Sequence, residues 1–210
     1  MKSVVQKSVL ALTLASAVAA LSGCFPLLMG GAVTGGVLVA SDRRTSGTVL
    51  EDNAIQLKAS NRIDDSLGER VHVNTTSYSR QLLLTGEVPS LQDKQLVEKV
   101  VSGVENVRSV VNELAVMGNT TFSQRSSDSL VTSRVKGNLV DAKDLFANSF
   151  KVVTERGTVY LMGRVTKREA SRATEVVAGT SGVLRVVRIL EIISEDDLAR
   201  MSQPAPDTKP

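Results

Sequence analysis

The chain of 210 residues carries 25 Lys and Arg against 22 Asp and Glu, a net charge of +3, and is 42% hydrophobic but only 3% aromatic, with no Trp. That length serves two small cores rather than one large enzyme, and the shortage of aromatic rings argues against a stacking cleft for sugars or bases. Cys24 is the only cysteine and His72 the only histidine, so a disulfide within the chain is impossible and no thiol and imidazole set exists for a metal.

Lys2 and Lys7 precede an apolar stretch from Val9 to Ala20 that is too short to span a bilayer comfortably, so residues 1–23 read as a signal peptide. The stretch ends in Leu21-Ser22-Gly23-Cys24, which resembles the lipobox of bacterial lipoproteins. The resemblance implies cleavage before Cys24, diacylation of its thiol and a third acyl chain on the new amino group. Buried acyl chains contribute about 0.8 kcal/mol per methylene, so two or three of them make attachment effectively permanent. Phe25 stands where inner-membrane retention signals usually carry aspartate; by that rule the destination is the periplasmic face of the outer membrane. Residues 24–47 are expected to be a lipidated flexible tether, glycine-rich and uncharged to Ala40, then polar and basic through Asp42-Arg43-Arg44-Thr45-Ser46-Gly47.

Beyond it one pattern occurs twice. Leu82-Leu83-Leu84-Thr85-Gly86-Glu87-Val88 returns as Val159-Tyr160-Leu161-Met162-Gly163-Arg164-Val165, 77 residues later. Past Pro89, which has no counterpart, the offset is 76, and it places Val107, Val110 and Leu114 on Val183, Val186 and Leu190. Each run reads as a strand whose last turn needs a residue without a Cβ, making Gly86 and Gly163 structural glycines.

In the first copy, residues 48–118, a helix is expected from Glu51 to Leu67 with Ile55, Ala59 and Ile63 inward. Strands follow at Val71-His72-Val73 and Leu82–Val88, joined by polar residues 74–80. Ser90 N-caps a second helix that ends at Gly103, with Leu91, Val97, Val100 and Val101 inward, and Val107–Met117 forms a third strand. Residues 119–125 are a linker. In the second copy, residues 126–194, Asp128 caps a helix bearing Val131, Val135 and Leu139, residues 150–154 and 158–165 form a hairpin, Thr166 caps the next helix, and Val183–Ile193 is the last strand. Residues 195–210, with three prolines, are expected to be disordered.

The repeated order of helix, strand, strand, helix, strand resembles the BON domain, in which a glycine lies between the second strand and second helix. Gly86 and Gly163 match it, and Gly182-Val183-Leu184-Arg185-Val186 and Val104-Glu105-Asn106-Val107 match the approach to the third strand, the first copy lacking its glycine. With the lipobox, the chain resembles the dual BON-domain outer-membrane lipoproteins. The resemblance implies an α+β fold of two tandem αββαβ domains, each a three-stranded mixed sheet with two helices packed on it, and a role in binding phospholipid, maintaining the outer-membrane barrier and acting at division sites.

Charge distinguishes the copies. Residues 48–117 hold seven Lys and Arg against ten Asp and Glu, a net −3, whereas residues 125–191 hold twelve against seven, a net +5. The second copy is suited to an anionic, phosphatidylglycerol-like surface, because basic groups near such a membrane contribute about 1 kcal/mol each. Its first helix offers Leu130 near Ser133, Arg134, Lys136 and Gly137, where the first copy has Ala54 for Leu130. In the resembling family this helix carries the lipid contact. Leu130 is expected to enter the acyl boundary while Arg134 and Lys136 meet phosphates; the alternative is that Leu130 packs on the neighbouring domain. Lys167, Arg168 and Arg172 read as a solvated helix face paired with Glu169 and Glu175. No catalytic set, cofactor site or metal site can be assembled, His72 reads as structural, and a periplasmic destination argues against nucleic acid. The competing class is a scaffold that docks its sheet faces or its Leu130 patch on outer-membrane assembly proteins or on cell-wall hydrolases and their regulators.

Overall fold

The computed structural model describes residues 42–201. The signal peptide, Cys24, most of the tether and the final nine residues lie outside that range. The first domain comprises α1 (Ser46–Leu67), β1 (His72–Tyr78), β2 (Gln81–Val88), α2 (Leu91–Ser102), β3 (Ser109–Asn112) and β4 (Ala115–Val116). The second comprises α3 (Phe122–Asp141), β5 (Phe150–Glu155), β6 (Thr158–Thr166), α4 (Lys167–Ala178) and β7 (Arg185–Ile193), followed by α5 (Glu195–Met201). In each domain the middle strand pairs antiparallel with its hairpin partner and parallel with the strand beyond the second helix. This is the α+β architecture of two αββαβ units, except that the first copy's third strand is interrupted between Asn112 and Ala115.

Alternation along the middle strands builds three cores. Leu82, Leu84 and Val88 of β2 meet Ile55, Ala59 and Ile63 of α1 and Val97 and Val101 of α2. Val159, Leu161 and Val165 of β6 meet Val131, Val135 and Leu139 of α3 and Ala173 and Val177 of α4. The intervening residues Leu83, Tyr160 and Met162 point the other way and join Tyr78 and Ile189 in a third core between the two sheets. The sheets therefore pack against each other with the helices outside, and burial of each such side chain contributes roughly 1.5–3 kcal/mol. The sheet faces proposed for docking are consequently covered.

Several boundaries differ from the sequence reading. α1 begins at Ser46, capped by Thr45, and residues 42–47 are part of the folded body rather than tether. Arg43 forms a bidentate pair with Glu169 at 2.7 Å for both contacts and donates to Arg164 O at 3.1 Å. Arg44 bonds Asp52 at 2.7 Å and lies 4.1 Å from the centre of the Tyr78 ring. Residues 74–78, read as loop, continue β1, because Ser77 is buried against Asp52 and Tyr78 enters the inter-sheet core. Asp128 does not cap α3; Thr121 does, and the helix starts at Phe122 inside the expected linker. Leu91, read as inward, is 64% exposed. Residues 195–201 are helical, started by Ser194, whose Oγ accepts from Asp197 N at 3.0 Å.

Asp52 and Asp128, 76 positions apart, share a task the sequence did not reveal. Asp52 accepts from Ser79 N and Arg80 N at 2.8 Å each, and Asp128 accepts from Arg156 N at 2.8 Å and Gly157 N at 2.9 Å. All four donors have positive φ, the two-residue hairpin geometry that matches strand twist. Gly86 and Gly163 lie inside their strands, not at the ends. A Cβ would stand 2.1 Å from His72 O at Gly86 and 2.5 Å from Ser149 O at Gly163, so close approach of the hairpin partner excludes a side chain.

Candidate lipid-facing surface

In α3 the buried positions Asp128, Val131, Val135 and Leu139 recur every three or four residues. The opposite side of the helix therefore carries Leu130, Ser133 and Gly137, with Arg134 on one flank and Lys136 on the other. Leu130 is 59% exposed, and Ser133, Arg134, Lys136 and Gly137 are exposed as well. The five residues singled out from the sequence thus share one solvent-facing stripe, and Leu130 does not pack on the first domain.

The stripe's chemistry follows from what each side chain touches. The Ser129 and Ser133 hydroxyls donate back to the carbonyls of Arg125 and Ser129 at 3.0 Å, which lowers the cost of taking them out of water. Nothing lies within 4 Å of a Cβ built on Gly137, so its missing side chain serves no internal packing and leaves the backbone open to an approaching surface. Arg134 has a single long contact, 3.5 Å to Ser181 O, and among the described residues neither Arg134 nor Lys136 forms an ion pair.

Two members of the stripe were missed. Phe122 and Val140, 82% and 67% exposed, lie eight residues before and ten after Leu130, on the same side of the helix. The spacing was visible, but starting the helix at Asp128 excluded Phe122 from it. Leu184, 82% exposed, borders the same end of the domain. A groove of about 510 Å³ runs beside the first turns of α3, bordered by Met117, Thr121, Arg134, Arg156 and Leu184.

The polar groups at the domain contact are used internally. Glu87 is fully buried and is bonded to His72 at 2.9 Å and to Arg156. Burial opposes its ionisation, yet the His72 and Thr120 hydrogen bonds and the Arg156 charge hold it below the ordinary carboxylate range. Glu169 is likewise held low against burial by Arg43 and the Thr166 N–H. It therefore does not pair with the outer face of α4, where Arg172 bonds Asp144 at 3.1 Å and Glu175 at 3.4 Å. Glu155 has the opposite fate: burial and the nearby Glu87 charge raise its pKa. Among the described residues no group of three or more His, Cys, Asp or Glu converges as a metal site, and no helix is long and apolar enough to cross a membrane.

A duplicated αββαβ unit, joined back to back with a glycine at each hairpin crossing, places the chain in the BON-domain family, whose pattern matches residues 51–118 and again 127–193. Within that family the chain is DolP-like. It is 34% identical to Outer membrane lipoprotein DolP of Haemophilus influenzae over 175 residues, 82% of this chain and 90% of that one. It is also similar to the 21 kDa hemolysin of Actinobacillus pleuropneumoniae, 27% identical over 72% of this chain and 79% of that one. Osmotically-inducible protein Y of Escherichia coli is 28% identical over 72% and 77% respectively.

Proposed function

We propose that this chain is a non-enzymatic lipoprotein of the outer membrane, anchored through acylated Cys24 on the periplasmic face. There the second domain binds anionic phospholipid through α3 and supports envelope integrity, including at division sites. Similarity to a relative named as an outer-membrane lipoprotein supports the location. The observation that carries the lipid reading is the α3 stripe: an exposed Leu130 between two cations without carboxylate partners, on the more basic of the two copies. Leucine supplies the apolar insertion and Arg134 and Lys136 the phosphate contacts, while a lipid anchor holds the weak site at high effective concentration near the surface. The corresponding helix of the first domain differs in this respect. α1 exposes Leu50 and Leu57, but its Lys58 is bonded to Glu105 at 2.6 Å and its domain is acidic.

Flotation of residues 42–201, which contain all three cores, with phosphatidylglycerol vesicles tests the reading. Wild type is expected to float, less so at high salt. Leu130→Glu is expected to reduce bound protein by roughly tenfold with the fold intact, since the side chain is exposed. Undiminished flotation of a folded Leu130→Glu protein contradicts the assignment.

A further inference from the structure

The two copies can be compared position by position along the third strand, where one is closed and the other open. In the first domain the outer strand is cut between Asn112 and Ala115, and the side chain of Lys94 fills the space beside it. Lys94 Nζ donates to Leu114 O at 2.8 Å, and Asn112 Nδ2 donates to Lys94 O at 3.1 Å and to Glu98 at 2.9 Å. In the second domain the offset of 76 places Ala170 at Lys94, Arg188 at Asn112 and Leu190 at Leu114. The plug is gone, and β7 runs unbroken for nine residues at the edge of its sheet with β6 as its strand neighbour. Among the described residues its outward backbone groups meet no partner.

Beside that edge, between α4 and β7, lies a groove of about 380 Å³. Ala170, Leu190 and Ile192 supply its apolar part, and Lys167 and Arg188 its charge. Both cations are exposed, and among the described residues neither forms an ion pair. Proteins ordinarily protect long apolar edges with interruptions, covering groups or inward charges, as the first copy does. An edge left open beside a groove is the arrangement that accepts an added strand, whose backbone pairs with the edge while alternate side chains enter the groove.

We propose that β7 takes an extended segment of a partner protein as a fourth strand, with acidic side chains toward Lys167 and Arg188 and apolar ones over Leu190 and Ile192. The row of unpaired amide and carbonyl groups selects a peptide over a lipid, which offers no matching alternation of donors and acceptors. The two unpaired cations select an acidic segment over a second copy of this chain, which would bring the same two cations. The carboxylate of β7, Glu191, is engaged by Arg164 at 3.2 Å.

Amide hydrogen exchange on the full chain in detergent micelles tests this with a pool of nine-residue peptides whose alternate, groove-facing positions carry two glutamates at one end and valine, isoleucine or phenylalanine at the other, with threonine at the positions between, because Arg188, Leu190 and Ile192 share one face of β7. The expected result is slowed exchange in residues 185–193 and not in residues 109–116, with apparent affinity weakened roughly tenfold by Lys167→Glu/Arg188→Glu. Both substituted side chains are exposed, so the fold is retained. A backbone N-methylated pool is expected to give no protection, because the pairing bonds are lost. Three results overturn the proposal: no protection by any peptide, protection that survives charge reversal or N-methylation, or protection that rises with protein concentration alone, which would assign the edge to a second copy. Flotation of the charge-reversed protein with vesicles separates this site from the α3 stripe.

Discussion

At the scale of single residues, the buried carboxylates set how the protein responds to pH. Asp52 and Glu169 are buried, which opposes ionisation, but their hydrogen bonds and arginine partners hold both below their ordinary values of 3.8 and 4.5. Groups depressed in this way contribute stability above those ordinary values, and the contribution is lost as pH falls through the lower folded values. Glu155 runs the other way. Its raised pKa means the folded chain resists an ionisation that the unfolded chain undergoes freely, so it costs stability at neutral pH. Glu155→Gln is expected to stabilise the protein in urea titrations at pH 7, by about 1 kcal/mol, and to give no gain below the ordinary Glu value. A destabilised variant at pH 7 would mean that the charge is being used. The residues behind this behaviour were hard to read in advance. Asp128 has the sequence context of a helix cap, and only the fold shows that its carboxylate reaches a turn 28 residues further along.

At the scale of elements, what could be read from the sequence was what local chemistry decides. Ser90 and Thr166 cap their helices as expected, Thr166 within a full capping box with Glu169, because a hydroxyl and a carboxylate three residues apart satisfy the first turn without outside help. The inward faces of α1 and α3 followed from spacing alone. What failed depended on partners distant in sequence. β1 continues through Asn74–Ser77 because its polar groups find Asp52 and Gln56, and α1 gains a turn because Arg44 reaches back to Asp52. The unbroken apolar runs of β2 and β6 did carry a signal, since strands apolar at consecutive positions are buried on both faces. The outer stripe of α3 was half legible: Leu130, Arg134 and Lys136 stood out by charge and by difference from the first copy, while Phe122 needed the true start of the helix.

At the scale of the whole molecule, two sibling domains share one inter-sheet core and have diverged on the surfaces left outside. Arg43 fastens the entry of the chain to the second domain through Glu169, with both side chains nearly inaccessible, 8% and 0% exposed. Removing one member of a buried pair strands the other, so Arg43→Ala is expected to cost roughly 3 kcal/mol in urea unfolding, and a loss below about 1 kcal/mol would show that Glu169 is satisfied by the Thr166 N–H alone. With the sheets facing each other, the outward helices and the strand edges, that of β7 among them, are what the molecule offers to its surroundings. The central claim is that α3, not α1, meets the membrane. Residues 42–201 contain no cysteine, so Leu130→Cys and Leu57→Cys each accept a single environment-sensitive fluorophore. With phosphatidylglycerol vesicles, the account predicts a blue-shifted, brightened emission from position 130 and an unchanged one from position 57; the reverse pattern, or no change at position 130 in protein shown to be vesicle-bound, would contradict it.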